Sequence, residues 1–431
     1  MTTTRRLIVG APATAPDPPS REELLWRDPP APSSFRTSVG PGLAEFGEVP
    51  PPSRDAVWLT TTVFVADRTV SRPKSKTRDM AVDVPVSEVA AWTAQAAELE
   101  DILASFTSDN WTVRFRDSGP VTVSPAQPAL EPPVREPDLV CLLSGGADSL
   151  CGAVRALDEG RQPLLLSHWD TNAHKPIQRA LVDRLQDLFG PVEHRQVRIA
   201  RAAEQIGGPT FPNETTKRSR SLLFLSLGLA QAAACDVDEL WIPENGWASL
   251  NPPLAPERLG AMSTRTTDPA LLGRFDRVLA AVGVHPGITN PFELHTKGEM
   301  FADVARILGQ RTASELLSAT HSCSHSRLAG EYGQAFTTQC GLCFGCTLRR
   351  AAFAAASIDD RTPYLDTVLT GADLADLAAK WSDDVRAMAY ATRRGVQPHQ
   401  LLALRLPDRF SLDDCHDLLV RGLDELAQVT P

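Results

Sequence analysis

The sequence predicts an α/β protein built on a parallel sheet with crossover helices, and three observations predict it. From Asp138 onward, short apolar strands alternate with longer helical stretches, the grammar of a parallel sheet. The turn Ser144-Gly145-Gly146-Ala147-Asp148-Ser149 joins the first of these strands directly to a helix. Four of the eight cysteines, Cys323, Cys340, Cys343 and Cys346, gather late in the same stretch. A chain of 431 residues, 42% hydrophobic and 22% charged, is long enough for more than one core and excludes wholesale disorder or a fibrous repeat.

The elements follow in order. Eleven of the 35 prolines fall in the first 52 residues, which predicts an opening segment wound over the surface in extended form. Ala56–Ala66 has the β-branched and aromatic content of a strand. Val86–Phe106 carries apolar residues at helical spacing behind a candidate Ser87 cap, and Trp111–Asp117 alternates as a strand. Together these form a small N-terminal α+β domain over residues 1–119. A Pro-rich linker, 120–137, ends it. In the α/β domain, 138–361, strands are expected at Leu139–Leu143, Pro163–Trp169, Val192–Ile199 and Glu239–Pro243. The clearest helices are Asp148–Leu157, Pro176–Phe189 and Ser219–Ala234. A helical C-terminal region covers 362–431.

Composition narrows the function. A net charge of −10 argues against non-specific binding to nucleic acid, although a local basic pocket for phosphate is compatible with it. No apolar run approaches the roughly 20 residues that span a bilayer, and the opening residues break into prolines too early for a signal peptide, so a cytoplasmic location is expected. Eight cysteines without a secretion signal point to metal or catalytic use instead of a disulfide framework.

The turn at Ser144–Ser149 is the most informative segment. Two adjacent glycines let backbone N–H groups approach an anion, and the helix that follows offers unpaired N–H groups and a positive dipole end. Ser144 and Ser149 add hydroxyls. Asp148 would repel phosphate unless it orients the loop or helps to bind a divalent cation. A Walker A motif is excluded, because the terminal Gly-Lys-Ser/Thr is missing. A second basic element, Lys217, Arg218 and Arg220, precedes an apolar helix, where positive charge is unfavourable for the dipole unless an anion sits between them.

On these residues the chain resembles the PP-loop ATP pyrophosphatases, in which an SGGxDS loop holds the pyrophosphate end of ATP. The resemblance covers about 138–358 and implies an adenine-nucleotide α-hydrolase-like fold, with Ser144, Gly145, Gly146, Asp148 and Ser149 matching position by position. The 7-cyano-7-deazaguanine synthases are the most similar branch. They carry an Arg-Asn before a Leu-Phe-Leu-Ser helix; here Arg220 matches and Ser221 replaces the Asn.

Cys340, Cys343 and Cys346 form C-x2-C-x2-C, and with Cys323 they supply four thiolates for a structural zinc ion. A ferredoxin-type iron–sulfur cluster is the competing reading, and it lacks the fourth Cys-Pro. The synthases have the same order of Ser-Cys, C-x2-C-x2-C and Leu-Arg helix, here HSCS, CGLCFGC and TLRRAAF. The remaining cysteines, Cys141, Cys151, Cys235 and Cys415, read as packing residues.

Active sites of open parallel sheets lie beyond the carboxyl ends of the strands. That places Asp170 and His174 after the second strand, and Glu244, Asn245 and Trp247 after the fourth, on the rim of the phosphate loop. An acceptor, an amide and a stacking plane suit a flat heterocycle. Arg265 and Lys297 add charge for phosphate or carboxylate; the family has Thr-Lys-x-Glu where Thr296–Glu299 stands here.

The resemblance implies Mg·ATP-dependent adenylation of 7-carboxy-7-deazaguanine followed by attack of an amine, with Asp148, Arg220 and Lys297 in catalytic roles. The added N-terminal domain resembles the longer synthase-like proteins of anti-phage operons, in particular the Qat-type system. There the amine acceptor could lie on a partner protein docked through that domain. A tRNA-modifying PP-loop enzyme and a catalytically silent assembly subunit are the alternatives.

Overall fold

The computed structural model describes residues 2–9, 22–73, 77–119, 136–201, 211–216, 218–255, 267–325, 327–397, 401, 404, 406–407 and 409–430. The Pro-rich linker expected over 120–137 lies almost wholly outside the described residues. Ten strands make two sheets: β1 Thr3–Val9, β2 Glu23–Trp26, β3 Phe35–Thr37, β4 Asp79–Val86, β5 Asn110–Asp117, β6 Leu139–Leu142, β7 Pro163–Trp169, β8 Glu193–Arg201, β9 Glu239–Trp241 and β10 Gly287–Thr289. One sheet has the order β2-β1-β4-β5, the other β10-β9-β6-β7-β8-β3.

The larger sheet is parallel except for its edge, where β3 runs antiparallel to β8. Its central strands β6 and β7 are buried along their whole length because both faces are covered there. On β6, Leu139 and Cys141 enter one core while Val140 and Leu142 enter the other. Helices Ala147–Asp158, Lys297–Leu308 and Phe344–Ala355 cover the first face. Helix Arg220–Ala234 packs on the second. The fold is therefore α/β with a parallel sheet, and helices Gly371–Lys380, Ser382–Arg394 and Leu412–Ala427 make a helical C-terminal region.

The N-terminal segment departs from expectation in three ways. Ala56–Ala66 is not a strand but the middle of helix Pro51–Thr69. Proline at the first two positions starts this helix, and Thr60, Thr62 and Thr69 return their hydroxyls to the carbonyls four residues back, at 2.9, 2.7 and 2.7 Å. Its β-branched and aromatic residues serve burial, since every residue from Ser53 to Asp67 is buried. The proline-rich opening is not wholly a surface wrap either: Leu24 and Trp26 are fully buried. Finally, the helix expected over Val86–Phe106 is divided into Val89–Ala94 and Ala96–Thr107, and Ser87 caps neither. Its N–H and hydroxyl both donate to Asp55 at 2.6 Å.

The smaller sheet is parallel throughout. Its residues share one continuous core with the larger sheet through helix Pro51–Thr69, and β3 extends the larger sheet itself. A buried ionic network fixes the end of that helix: Arg78 bonds Asp67 and Asp109, and Arg72 grips Asp109 with two hydrogen bonds of 2.7 and 2.9 Å.

Candidate active site

The phosphate loop leaves the carboxyl end of β6 and enters helix Ala147–Asp158. Gly145 has φ +92°, a conformation that a side chain would strain. The two serines brace the turn. Ser144 N–H donates to Ser149 Oγ at 3.1 Å, Gly146 N–H donates to Ser144 Oγ at 3.2 Å, and Ser149 Oγ donates to the Gly146 carbonyl at 2.9 Å. Two contacts that no sequence motif signalled hold it from outside. Buried Gln178 donates to the carbonyls of Ser144 and His168, each at 3.2 Å, and His321 N–H donates to the Gly145 carbonyl at 3.0 Å. The helix has no side-chain cap, so the N–H groups of its first turn are available to an anion. The loop thus fits a phosphate.

Beneath the loop, Asp148 is 7% exposed and engaged at both oxygens. Lys297 Nζ bonds Oδ1, while the Asn245 amide and N–H donate to Oδ2 at 2.8 and 3.3 Å. Burial pushes Asp148 up, but the Lys297 charge and the hydrogen bonds from Glu244 and Asn245 outweigh it and hold the carboxyl below the usual range. Glu244 moves the other way: burial, the neighbouring Asp148 charge and the hydrogen bond between the two carboxyls push it well up. Asn245 also caps helix Gly246–Leu250, accepting from Ala248 N–H at 2.9 Å. Lys297 opens a helix through the capping box Thr296/Glu299, a place where its charge opposes the dipole and Asp148 compensates. From the far end of the chain, Glu425 accepts from Thr296 Oγ1 and, at 3.0 Å, from Gly298 N–H. Asp148 thus ties the first turn of its helix to Lys297 and Asn245.

A second cluster forms at the ends of β7 and β8. His168 is fully buried, and burial with the Arg220 charge lowers it to about 4, so it is neutral. Its Nε2–H donates to the Ile199 carbonyl at 2.9 Å, which leaves Nδ1 to face Arg220 Nε at 3.5 Å. Arg220 Nη2 also reaches the His168 carbonyl at 3.2 Å. Asp170 is bonded by Arg68 at 3.2 Å; burial raises it, and the Arg220 and Arg68 charges overcome that and keep it ionised. Arg68 comes from helix Pro51–Thr69, and no motif marks it as a neighbour of Asp170. His174 Nδ1 bonds Thr171 Oγ1 at 2.9 Å, and its ring meets His321 and Phe336 at 6.3 and 5.7 Å.

Other expected residues lie elsewhere. Trp247 is fully buried, stacks on Phe344 at 5.9 Å and donates to the Leu419 carbonyl at 3.3 Å, so it is a core residue and not a stacking plane for a heterocycle. Arg218 points to the N-terminal segment, donating to the Thr107 carbonyl at the end of helix Ala96–Thr107 at 2.7 Å. Lys217 and Arg265 lie outside the described residues.

Cys323, Cys340, Cys343 and Cys346 converge, buried, with sulfurs within 4.8 Å of one another. Four zinc–sulfur bonds of about 2.3 Å in a tetrahedron would set the sulfurs about 3.8 Å apart. Cys340 and Cys346 sulfurs are 3.7 Å apart, and Cys343 N–H donates to Cys340 Sγ at 3.2 Å, so the cluster fits zinc. Gly341, at φ +87°, makes the knuckle turn, and a Cβ there would meet Asp366 Oδ1 at 2.1 Å. Fully buried Arg349 ties the helix after the knuckle to Leu317, Thr320, Ser322 and Thr362. Buried Cys141 and Cys151 sit in the sheet core, where burial pushes Cys141 up to about 12.

No protein-family model matches the chain. Curated relatives do match. The chain is 29% identical over 243 residues to the 7-cyano-7-deazaguanine synthase of Pseudomonas aeruginosa (strain LESB58), which covers 52% of this chain and 97% of that protein. It is 29% identical over 248 residues to the protein of the same name from Methylobacillus flagellatus, covering 53% and 96%. For the Saccharophagus degradans protein the figures are 26% over 240 residues, 52% and 96%. Over about half its length, then, the chain is similar to nearly whole proteins named 7-cyano-7-deazaguanine synthase.

Proposed function

We propose that the protein is an ATP-dependent synthase of the 7-cyano-7-deazaguanine synthase type. The observation that carries the reading is the uncapped Ser144–Ser149 loop, backed by the buried Asp148–Lys297 pair and flanked by Asp170, just past the next strand, and by Arg220 at the start of its helix. A carboxylate oxygen attacks the α-phosphorus of ATP and pyrophosphate leaves. An amine nitrogen then attacks the acyl carbon, AMP departs with the electrons of the C–O bond, and the nitrogen loses a proton. The loop N–H groups and serine hydroxyls receive the pyrophosphate charge as it develops. Arg220 meets the α-phosphate side. Lys297 and Asp148 keep the loop in register, and Mg2+ arrives with the nucleotide.

By likeness to the synthases, the acid is 7-carboxy-7-deazaguanine, bound toward Glu244, Asp170 and His174, and ammonia is one amine that fits. A cytoplasmic role in anti-phage defence, with an amine on a partner protein docked at residues 1–119, is the longer form of the same proposal. It assigns catalysis to 138–361 and support to 362–431. The test measures AMP and pyrophosphate release from Mg·ATP with and without 7-carboxy-7-deazaguanine, for the wild type and Asp148→Ala. Carboxylate-dependent AMP that disappears in the variant is expected; AMP formation indifferent to the acid would overturn the reading.

A further inference from the structure

The cluster at the end of β7 is electrically incomplete. Arg68 bonds Asp170 at 3.2 Å, Arg220 bonds the carbonyl of His168 two residues earlier at 3.2 Å and its charge also bears on Asp170, so among the described residues two guanidiniums meet at one carboxylate, with His168 beside them neutral. The Arg68 and Asp170 side chains are only 13% and 7% exposed, so solvent screens the surplus charge poorly. Arg68 uses Nη1 on Asp170 and on the Thr216 carbonyl at 3.3 Å, whereas its Nε is buried with no hydrogen-bond partner among the described residues. Glu214, the nearby acid of the same loop, accepts from Arg72 N–H at 3.0 Å.

The same helix also fixes where Arg220 begins. Asp67 accepts from Ser219 Oγ at 2.7 Å, and the Arg68 carbonyl accepts from Glu214 N–H at 3.2 Å. Arg68 and Arg220 therefore hold their separation through a scaffold outside the stretch that carries the phosphate-loop and cysteine motifs.

We propose that Arg68 and Arg220 form an anion clamp across Asp170, beside the phosphate loop, that binds a single carboxylate or phosphate group of the substrate. The N-terminal helix is thereby part of the binding site. The naming of the group rests on the adenylation reading; the existence of the clamp does not. A monoanionic group balances the site, and its two sources are the acid substrate and the α-phosphate of the nucleotide.

Titration calorimetry with AMP, pyrophosphate and 7-carboxy-7-deazaguanine separates them, using wild type, Arg68→Gln and Arg68→Lys with thermal midpoints measured in parallel. Loss of one charge-assisted contact is expected to weaken the clamped ligand about 10- to 100-fold in Arg68→Gln. Pyrophosphate, held at the loop, should stay within about twofold, and Arg68→Lys should recover part of the loss because it keeps the charge. Selective weakening of AMP assigns the clamp to the α-phosphate, and selective weakening of the acid assigns it to the carboxylate. Unchanged binding of both, or an equal loss for all three ligands with a lowered midpoint, overturns the clamp. If the wild type binds AMP and pyrophosphate but not the acid, the substrate reading falls while the clamp is still decided by AMP.

Discussion

Replacing Lys297 by Met tests whether the Asp148 pair organises the loop. The substitution keeps most of the side-chain volume and removes the cation from a carboxylate that is 7% exposed and otherwise held by neutral donors. Removing one member of a buried pair costs about 3–5 kcal/mol. Lys297 sits in the first turn of its helix, so relief from the dipole returns about 0.3–1 kcal/mol. The net loss expected at pH 8 is therefore about 2–5 kcal/mol. The sign with pH follows from the same balance. Without Lys297, burial dominates and raises Asp148 in the folded state above its unfolded value. The variant then becomes less stable as pH rises from the unfolded value toward the folded one, and it recovers in acid. Denaturant midpoints at pH 5 and pH 8 for wild type, Lys297→Met, Asp148→Asn and the double variant check this. The double variant should be more stable than Lys297→Met at pH 8, since an amide in place of Asp148 carries no buried charge. Additive losses, or a Lys297→Met penalty that does not change with pH, would refute the reasoning.

Three further outcomes are expected. Metal analysis of purified protein should find one zinc per chain, lost in Cys343→Ser together with stability, while added zinc should not raise AMP formation, because a four-thiolate site leaves no position for water. Glu425→Ala should destabilise the protein by about 1–3 kcal/mol and weaken ATP binding, since it leaves the buried Gly298 N–H without its acceptor; calorimetry showing unaltered ATP affinity would deny the C-terminal helix any part in the site. His168, lowered to about 4 in the fold, stays neutral while the unfolded chain takes up a proton, so its contribution is present above about pH 6.5 and is lost as pH falls toward 4. Unfolding midpoints should drop over that window in the wild type, and the drop should be shallower in His168→Gln.

The parts of the fold that were legible in the sequence are those whose cause is local. Leu139–Leu142 and Pro163–Trp169 are continuous apolar runs because both faces of the sheet are covered, and the loop between β6 and its helix is spelled by its glycines and serines. The capping box at Thr296 and the cysteine knuckle are short-range patterns for the same reason. Helix Pro51–Thr69 was not legible as a helix. Its Thr and Val content follows strand propensity, and the tertiary setting between two sheets decided otherwise. Trp247 was misassigned because a tryptophan after a strand looks the same in sequence whether it stacks on Phe344 or on a ligand. Gln178, Arg68 and Glu425 were missed because each acts across a long sequence separation and belongs to no motif.

Those missed residues share a consequence for how the site is built. The loop itself is contiguous, but its carbonyl at Ser144 is held by Gln178, its carbonyl at Gly145 by the segment leading into the cysteine knuckle, and its aspartate by Lys297, whose helix is in turn seated on Glu425. The cationic side is held by helix Pro51–Thr69 through Arg68 and Asp67. The segments before β6 and after the knuckle thus bear directly on the atoms that would meet phosphate. A protein reduced to residues 138–361 would keep the loop sequence yet lose Arg68 and Glu425. It would also expose the core that helix Pro51–Thr69 shares with the larger sheet. On the proposed function, the additional length is part of the site, because helix Pro51–Thr69 and Glu425 hold Asp170 and the helix of Lys297 in place.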